Sequence, residues 1–274
     1  MTGTTTQEAT MRLAGGVSLV TGASAGIGAA VAQRLALTGT HVLAHGRDPE
    51  RTAAVAESTG GVPLLADLRD PAAVDRLADE ALAVHGRVDL LVANAGCGHS
   101  GPFDVMTADE IDDLLAVDLT SAVRLTHRLL PGMIERRIGH LCYVTSIAGR
   151  TGVAGEAVYA AAKAGLDAFA ESLRLELVGS GVGVSVIVPA VVETGFFERR
   201  GRPYERRSPR PVSADRVARA VVDAVETGRD EVFLPGWTRV APAVRAVAPA
   251  PYRALSRRFG EQVRSAGTPE GRSS

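Results

Sequence analysis

Short β-type runs alternate along this chain with longer amphipathic stretches rich in alanine and leucine. The short runs predict seven strands, at residues 17–21, 41–45, 62–66, 88–93, 140–146, 183–188 and 231–234. The longer stretches predict helices over 26–37, 49–58, 71–85, 108–136, 156–178 and 214–227. Strands and helices in strict alternation predict an α/β fold of the Rossmann type, doubly wound, with a seven-stranded parallel sheet flanked by helices on both faces. Thr107-Ala108-Asp109-Glu110 is a capping box that opens the fourth helix. Residues 1–12 are threonine-rich without periodicity and read as a flexible arm, 13–236 as a single domain, and 237–274 as a C-terminal extension disordered at its end.

Composition narrows the class. At 274 residues and 46% hydrophobic, the chain can bury a large core. A net charge of −1 with both signs scattered leaves no nucleic-acid footprint. No apolar run approaches the roughly 18–20 residues that cross a bilayer, so a soluble, cytoplasmic protein is expected. Cys97 and Cys142 are far apart and lie in no Cys/His cluster, so neither a disulfide framework nor a metal site is expected.

Two segments depart from the even charge pattern. Residues 195–212 hold Arg199, Arg200, Arg202, Arg206, Arg207 and Arg210 against Glu198 and Glu205, with three prolines. A loop of that length is either solvated or a lid over a substrate, one able to attract anionic groups. Residues 236–260 carry Trp237, Tyr252, Leu255 and Phe259 among arginines, broken by Pro242, Pro249 and Pro251. They pack on the protein or a partner subunit, or lie on an anionic membrane; the prolines favour packing.

The chemistry-bearing residues stand out against this background. The chain contains one lysine, Lys163, against twenty-nine arginines. Position 163 therefore needs what arginine lacks, a compact ammonium with rotatable donors on a slim stem. Tyr159 precedes it by four residues, one helical turn, and a phenol beside an ammonium is a proton donor of lowered pKa. The alternative is a buried tyrosine and a surface lysine at chance helical spacing. Directly after the first strand, Thr21-Gly22-Ala23-Ser24-Ala25-Gly26-Ile27-Gly28 leads into helical periodicity. Gly22 permits a tight turn, Gly26 lets backbone approach a pyrophosphate, and Gly28 lets helix pack close to strand.

With these motifs in register, the chain resembles the short-chain dehydrogenase/reductase family of the single-domain kind over roughly residues 13–236. The nucleotide turn matches residues 21–28, with Ser24 and Ile27 in the cradle, and the adenine-side Asp matches Asp67 with Leu68. The motif after the fourth strand matches Asn94-Ala95-Gly96. The catalytic serine, tyrosine and lysine match Ser146, Tyr159 and Lys163. The resemblance implies hydride transfer between a nicotinamide cofactor and a carbonyl or secondary alcohol. Tyr159 would exchange the proton, Ser146 would hydrogen-bond the substrate oxygen, and Lys163 would grip the nicotinamide ribose and stabilise the tyrosinate. It also implies a homodimer or homotetramer built on helices 108–136 and 156–178.

Two positions depart from the family pattern. Asp118 stands where the family has the asparagine of a water-mediated proton relay; either the relay works through Asp118 or it is weakened. Pro189-Ala190 replaces the usual Pro-Gly, with Pro189, Val192 and Thr194 left to hold the carboxamide end of the nicotinamide. After the second strand, His45-Gly46-Arg47 offers an arginine suited to a 2′-phosphate and no carboxylate, which favours NADP(H); NAD(H) remains open through Asp48. Two rival readings are a sugar-nucleotide epimerase/dehydratase and a non-enzymatic dinucleotide-binding regulator. The first is disfavoured by the glycine spacing, the second by the intact Ser146, Tyr159 and Lys163.

Overall fold

The computed structural model describes residues 10–200, 204 and 208–259. Among these described residues, nine strands follow in chain order: β1 (Val17–Val20), β2 (His41–Gly46), β3 (Val62–Leu65), β4 (Leu90–Ala93), β5 (Gly139–Val144), β6 (Val182–Pro189), β7 (Val192–Glu193), β8 (Val212–Ser213) and β9 (Glu231–Leu234). Seven form one sheet in the order β3-β2-β1-β4-β5-β6-β9, while β7 and β8 pair only with each other. All pairings in the large sheet are parallel. The order reverses between β1 and β4, and at such a switch point an open α/β sheet leaves a crevice outside its carboxyl ends.

The helices are α1 (Gly26–Leu37), α2 (Pro49–Thr59), α3 (Pro71–His85), α4 (Ala108–Leu115), α5 (Ser121–Arg136), α6 (Ile147–Thr151), α7 (Ala157–Glu176), α8 (Phe196–Arg199), α9 (Ala214–Thr227), α10 (Val240–Val247) and α11 (Pro249–Phe259). Successive strand residues point to opposite faces, and here both faces are covered. Leu19, Leu43, Leu91 and Leu141 pack with Leu77 of α3, Leu125 and Met133 of α5 and Leu166 of α7. Val20, Val42, Leu90 and Val92 pack with Val31 and Leu35 of α1 and Val217 and Val221 of α9. Every large side chain so buried contributes about 1.5–3 kcal/mol of hydrophobic stabilisation.

The structure corrects the sequence reading in three places. The helix expected over 108–136 is interrupted by a π-helical turn at Ala116–Thr120, which contains Asp118 and separates α4 from α5. Helices α6, α8, α10 and α11 were not anticipated: α6 and α8 have only 5 and 4 residues, and α10 and α11 lie in the proline-broken extension. The expected arm 1–12 is anchored by its end, since Met11 is buried and donates its N–H to Val225 O at 3.3 Å; residues 1–9 lie outside the described residues. As expected, the prolines of the C-terminal extension interrupt any long helix: the segment forms two short ones, α10 and α11, separated at Ala248. Pro242, Pro249 and Pro251 fall in first turns, where backbone N–H groups have no intrahelical partner to lose. Arg245 donates to Arg150 O at 2.7 Å and Tyr252 to Thr151 O at 3.4 Å, so the extension packs on α6. Residues 260–274, where disorder was expected, lie outside the described residues. No described helix is long and apolar enough to cross a membrane.

Candidate active site

A cleft of about 490 Å³ opens at the switch point, running from Arg47 and Asp67 past the glycine turn to Tyr159 and Phe196. The turn is shaped by glycine. Gly22 has φ +67°, and a Cβ there would stand 2.9 Å from the Ala95 Cα; Gly26 has φ +58°. Asp48 and Asp70 cap α2 and α3, whereas no side chain caps α1 and no acidic residue lies in its first turn. The first N–H groups of α1 are thus available to an anion, and the helix dipole adds to the attraction. Gly28 does not line the cleft; a Cβ there would lie 2.2 Å from Gly22 O, so its absence lets α1 sit against the turn.

Asn94 ties the two halves of the sheet together. Its Nδ2 donates to Thr21 O at 2.9 Å, and the backbone N–H groups of Asn94 and Ala95 both donate to Thr21 Oγ1 at 3.0 Å. Asn94, Ala95 and Gly96 line the cleft between the turn and the reacting groups. On the opposite wall lie Pro189, Ala190, Val192 and Thr194, the last packed against Gly26.

At the end of the cleft beyond β2, Ser24, Arg47, Asp67 and Leu68 line it together with Arg51, which the sequence reading had missed. Asp48 is engaged elsewhere: its carboxylate caps α2 by accepting from Arg51 N at 3.0 Å and binds Arg51 Nε at 2.9 Å. Asp67 accepts from Arg69 Nε at 3.0 Å and from its Nη2 at 2.5 Å, and these bonds pull its pKa to about 2. His45 is buried under the turn, where burial lowers its pKa to about 4 and Gly22 N–H donates to Nδ1 at 3.4 Å.

Tyr159 and Lys163 project from α7 toward Ser146 at the end of β5. The Ser146 hydroxyl caps α6, accepting from Ala148 N at 3.1 Å, and its nearness to the Tyr159 phenol works to lower the phenol's pKa. Lys163 is 3% exposed; its Nζ lies 3.0 Å from Asp118 Oδ1 and donates to Val144 O at 3.4 Å. Asp118 Oδ2 accepts from Cys97 N at 2.8 Å, with the Cys97 thiol at 3.3 Å. Burial and the Asp118 charge push that thiol up to about 12.

The phenol of Tyr159 does not have the lowered pKa that its spacing from Lys163 suggested. Burial raises it, Asp118 raises it further, and the attraction of Lys163 only partly offsets them. The ammonium of Lys163 is held raised chiefly by Asp118, against the opposing cost of burial.

The outer part of the cleft is aromatic. Phe196 lies 5.8 Å from the Tyr159 ring, centroid to centroid, Phe197 lies 5.7 Å from Phe196, and Tyr204 lies 5.4 Å from Phe197. Arg200, one of the arginines expected to attract anions, forms an ion pair with Glu156 and sits 4.4 Å from the Phe197 ring centroid. Arg202, Arg206 and Arg207 lie outside the described residues. His99 does not line this cleft. No group of three or more His, Cys, Asp or Glu able to hold a metal occurs among the described residues.

A glycine turn under an uncapped helix, joined by one cleft to a Ser-Tyr-Lys cluster, is matched by a family model described as short chain dehydrogenase over residues 16–205. The chain belongs to this family. Among curated relatives, the ketoacyl reductase HetN of Nostoc sp. is 32% identical over 264 residues, 90% of each chain. The 3-oxoacyl-[acyl-carrier-protein] reductase FabG of Escherichia coli is 36% identical over 186 residues, 67% of this chain and 76% of FabG. A metagenomic short-chain oxidoreductase solved in complex with NADP has a TM-score of 0.70 and 34% identity, covering 81% of this chain and 97% of that one. As a short-chain dehydrogenase the chain is an oxidoreductase on a Rossmann-type fold, which sets aside the reading as a non-enzymatic regulator.

Proposed function

We propose that the protein is an NADPH-dependent ketoreductase in which Ser146, Tyr159 and Lys163 carry the chemistry. The observation that carries this reading is their convergence in one cleft with the glycine turn. The residues fit the dinucleotide: the turn would fill if Gly22 or Gly26 carried a side chain, and α1 begins without a side-chain cap. Gly22, Ser24, Gly26 and Ile27 would hold the pyrophosphate, with Gly28 setting the helix in place. Asp67 and Leu68 would flank the adenine, Asn94, Ala95 and Gly96 the ribose, and Pro189, Val192 and Thr194 the carboxamide. Arg47 and Arg51 suit a 2′-phosphate, and Asp48, already bound to Arg51, is withdrawn from a ribose hydroxyl. NADP in a related short-chain oxidoreductase agrees with this preference, and NAD(H) remains an admissible second cofactor.

A reduced nicotinamide bound in the cleft supplies hydride to the carbonyl carbon. Tyr159 gives its proton to the carbonyl oxygen, Ser146 donates a hydrogen bond to that oxygen as charge develops, and Lys163 stabilises the tyrosinate left behind. The aromatic wall of Phe196, Phe197 and Tyr204 suits a ketone with an apolar substituent. We place the enzyme in the cytoplasm as a homodimer or homotetramer pairing the outer faces of α5 and α7, acting on a small carbonyl or alcohol, without nucleic-acid or membrane partners.

The test is ketone-dependent NADPH oxidation over aliphatic, aromatic and acyl-thioester substrates. Tyr159→Phe should abolish turnover and leave NADPH binding intact, and Arg47→Asp should move kcat/KM from NADPH toward NADH. Turnover retained in Tyr159→Phe would remove the reading.

A further inference from the structure

Asp118 does more than replace an amide. The π-helical turn between α4 and α5 brings its side chain into the site, where it is fully buried beside the equally buried Lys163. Its two oxygens have separate tasks: Oδ2 takes the Cys97 N–H at 2.8 Å, and Oδ1 faces the ammonium at 3.0 Å. Oδ1 makes no aligned hydrogen bond, so its hold on Lys163 is one of charge. An asparagine cannot serve both ends. With its oxygen on Cys97 N–H, its NH₂ would face an ammonium, donor against donor. The space is also reserved, because a Cβ on Gly96 would lie 2.8 Å from Asp118 Oδ1 and 3.3 Å from Lys163 Nζ.

The phenol therefore faces a cation that is already paired. The Lys163 ammonium is 5.8 Å from the Tyr159 ring centroid, and a carboxylate beside it offsets part of the attraction that would otherwise favour tyrosinate. Among the described residues, the neighbouring groups do not replace the lost charge. Cys97, on the loop after β4, is a neutral thiol, and Ser146 at the end of β5 is a hydroxyl. Glu156, at the start of α7, pairs with Arg200, and Asp167, one turn beyond Lys163, pairs with Arg150 of α6. Asp113 of α4 pairs with Arg69.

We propose that Asp118 is a positioning residue that neutralises Lys163 and so keeps Tyr159 protonated, setting this site for carbonyl reduction and confining alcohol oxidation to alkaline pH. Burial is the main reason the Tyr159 pKa is raised, and the Asp118 charge raises it further. The proposal rests on Tyr159 being the proton donor of the reaction proposed above.

Two measurements test it. In the first, kcat is followed against pH in both directions for the parent and Asp118→Asn. The ascending limb of oxidation and the descending limb of reduction should both move to lower pH by about one unit in the variant, a tenfold rise in the oxidation-to-reduction ratio at a fixed pH between the limbs. A uniform loss in both directions with unmoved limbs would overturn the proposal. The second needs neither substrate nor nucleotide: ultraviolet difference titration of tyrosinate, with Tyr159→Phe in each background to isolate the one phenol. Tyr159 should ionise at lower pH in Asp118→Asn than in the parent, and an unchanged titration would overturn the proposal even if the variant is inactive. Turnover surviving in Tyr159→Phe would instead defeat the underlying reading of the site, so the two failures are separable.

Discussion

At the scale of single residues, Lys163 is fixed by what surrounds it. Its Nζ fits between Asp118 Oδ1, Val144 O and the bare Cα of Gly96. A forked guanidinium is wider and carries its charge farther out, so Lys163→Arg should lower kcat/KM by about a hundredfold, roughly 2.7 kcal/mol of transition-state stabilisation, although charge is conserved. Steady-state kinetics decide, and near-parental kcat would show that any cation serves. The residues of this cluster were legible in the sequence because the solitary lysine and its spacing from Tyr159 mark them. Its electrostatics were not: the phenol's acidity answers first to burial and then to the charges of Lys163 and Asp118, the latter 45 residues away from Lys163 by number and set beside it by the π turn. The Glu156–Arg200 pair and the contact of Phe196 with Tyr159 were equally hidden, since both join α7 to a segment about 40 residues later whose path no local pattern specifies.

At the scale of elements, periodicity predicted the seven strands of the large sheet and the six longest crossover segments, because each buries an apolar face large enough to leave a pattern. It failed where an element is short or the period slips. A π turn inserts one residue into a helix whose flanks both look regular, so 108–136 read as unbroken. Helix α6 has five residues and is held by partners instead of by propensity. Arg150 on α6 donates to Asp167 of α7 at 2.6 Å and to Glu231 of β9 at 2.5 Å, with its guanidinium 5.8 Å from the Phe233 ring centroid. Arg150→Ala would leave the Asp167 carboxylate buried without its cation and release the turn that orients Ser146. The expected loss is about 3 kcal/mol, a fall in Tm of roughly 6–12 °C for a chain of this size. Calorimetry measures it, and an unchanged Tm would show that solvent already satisfies Asp167.

At the scale of the whole molecule, acid should unfold this protein through two buried imidazoles. Burial lowers His45 and His140 to about 4. His140 Nε2 pairs with Ser185 Oγ at 2.8 Å and its Nδ1 has no hydrogen-bond partner, an arrangement suited to the neutral ring. The folded state binds fewer protons than the unfolded one between those values and the ordinary histidine pKa. Their contribution is therefore complete above pH about 6.5 and is lost as pH falls toward 4, up to about 3 kcal/mol per ring. Urea unfolding midpoints should drop steadily from pH 7 to pH 5, and flat midpoints over that range would contradict it. The β7–β8 pair has a different bearing. Val192 and Glu193 lie opposite Val212 and Ser213, so both ends of the intervening segment are joined before it leaves the sheet. Closure entropy grows only with the logarithm of loop length, about 0.6 kcal/mol per doubling, and with the ends already stapled the sheet does not register what lies between them. Beyond Thr194 the aromatic wall is in this sense a replaceable cassette: insertions, deletions or exchanges there can give descendants of this enzyme new substrates while the scaffold and the cofactor-facing residues are inherited.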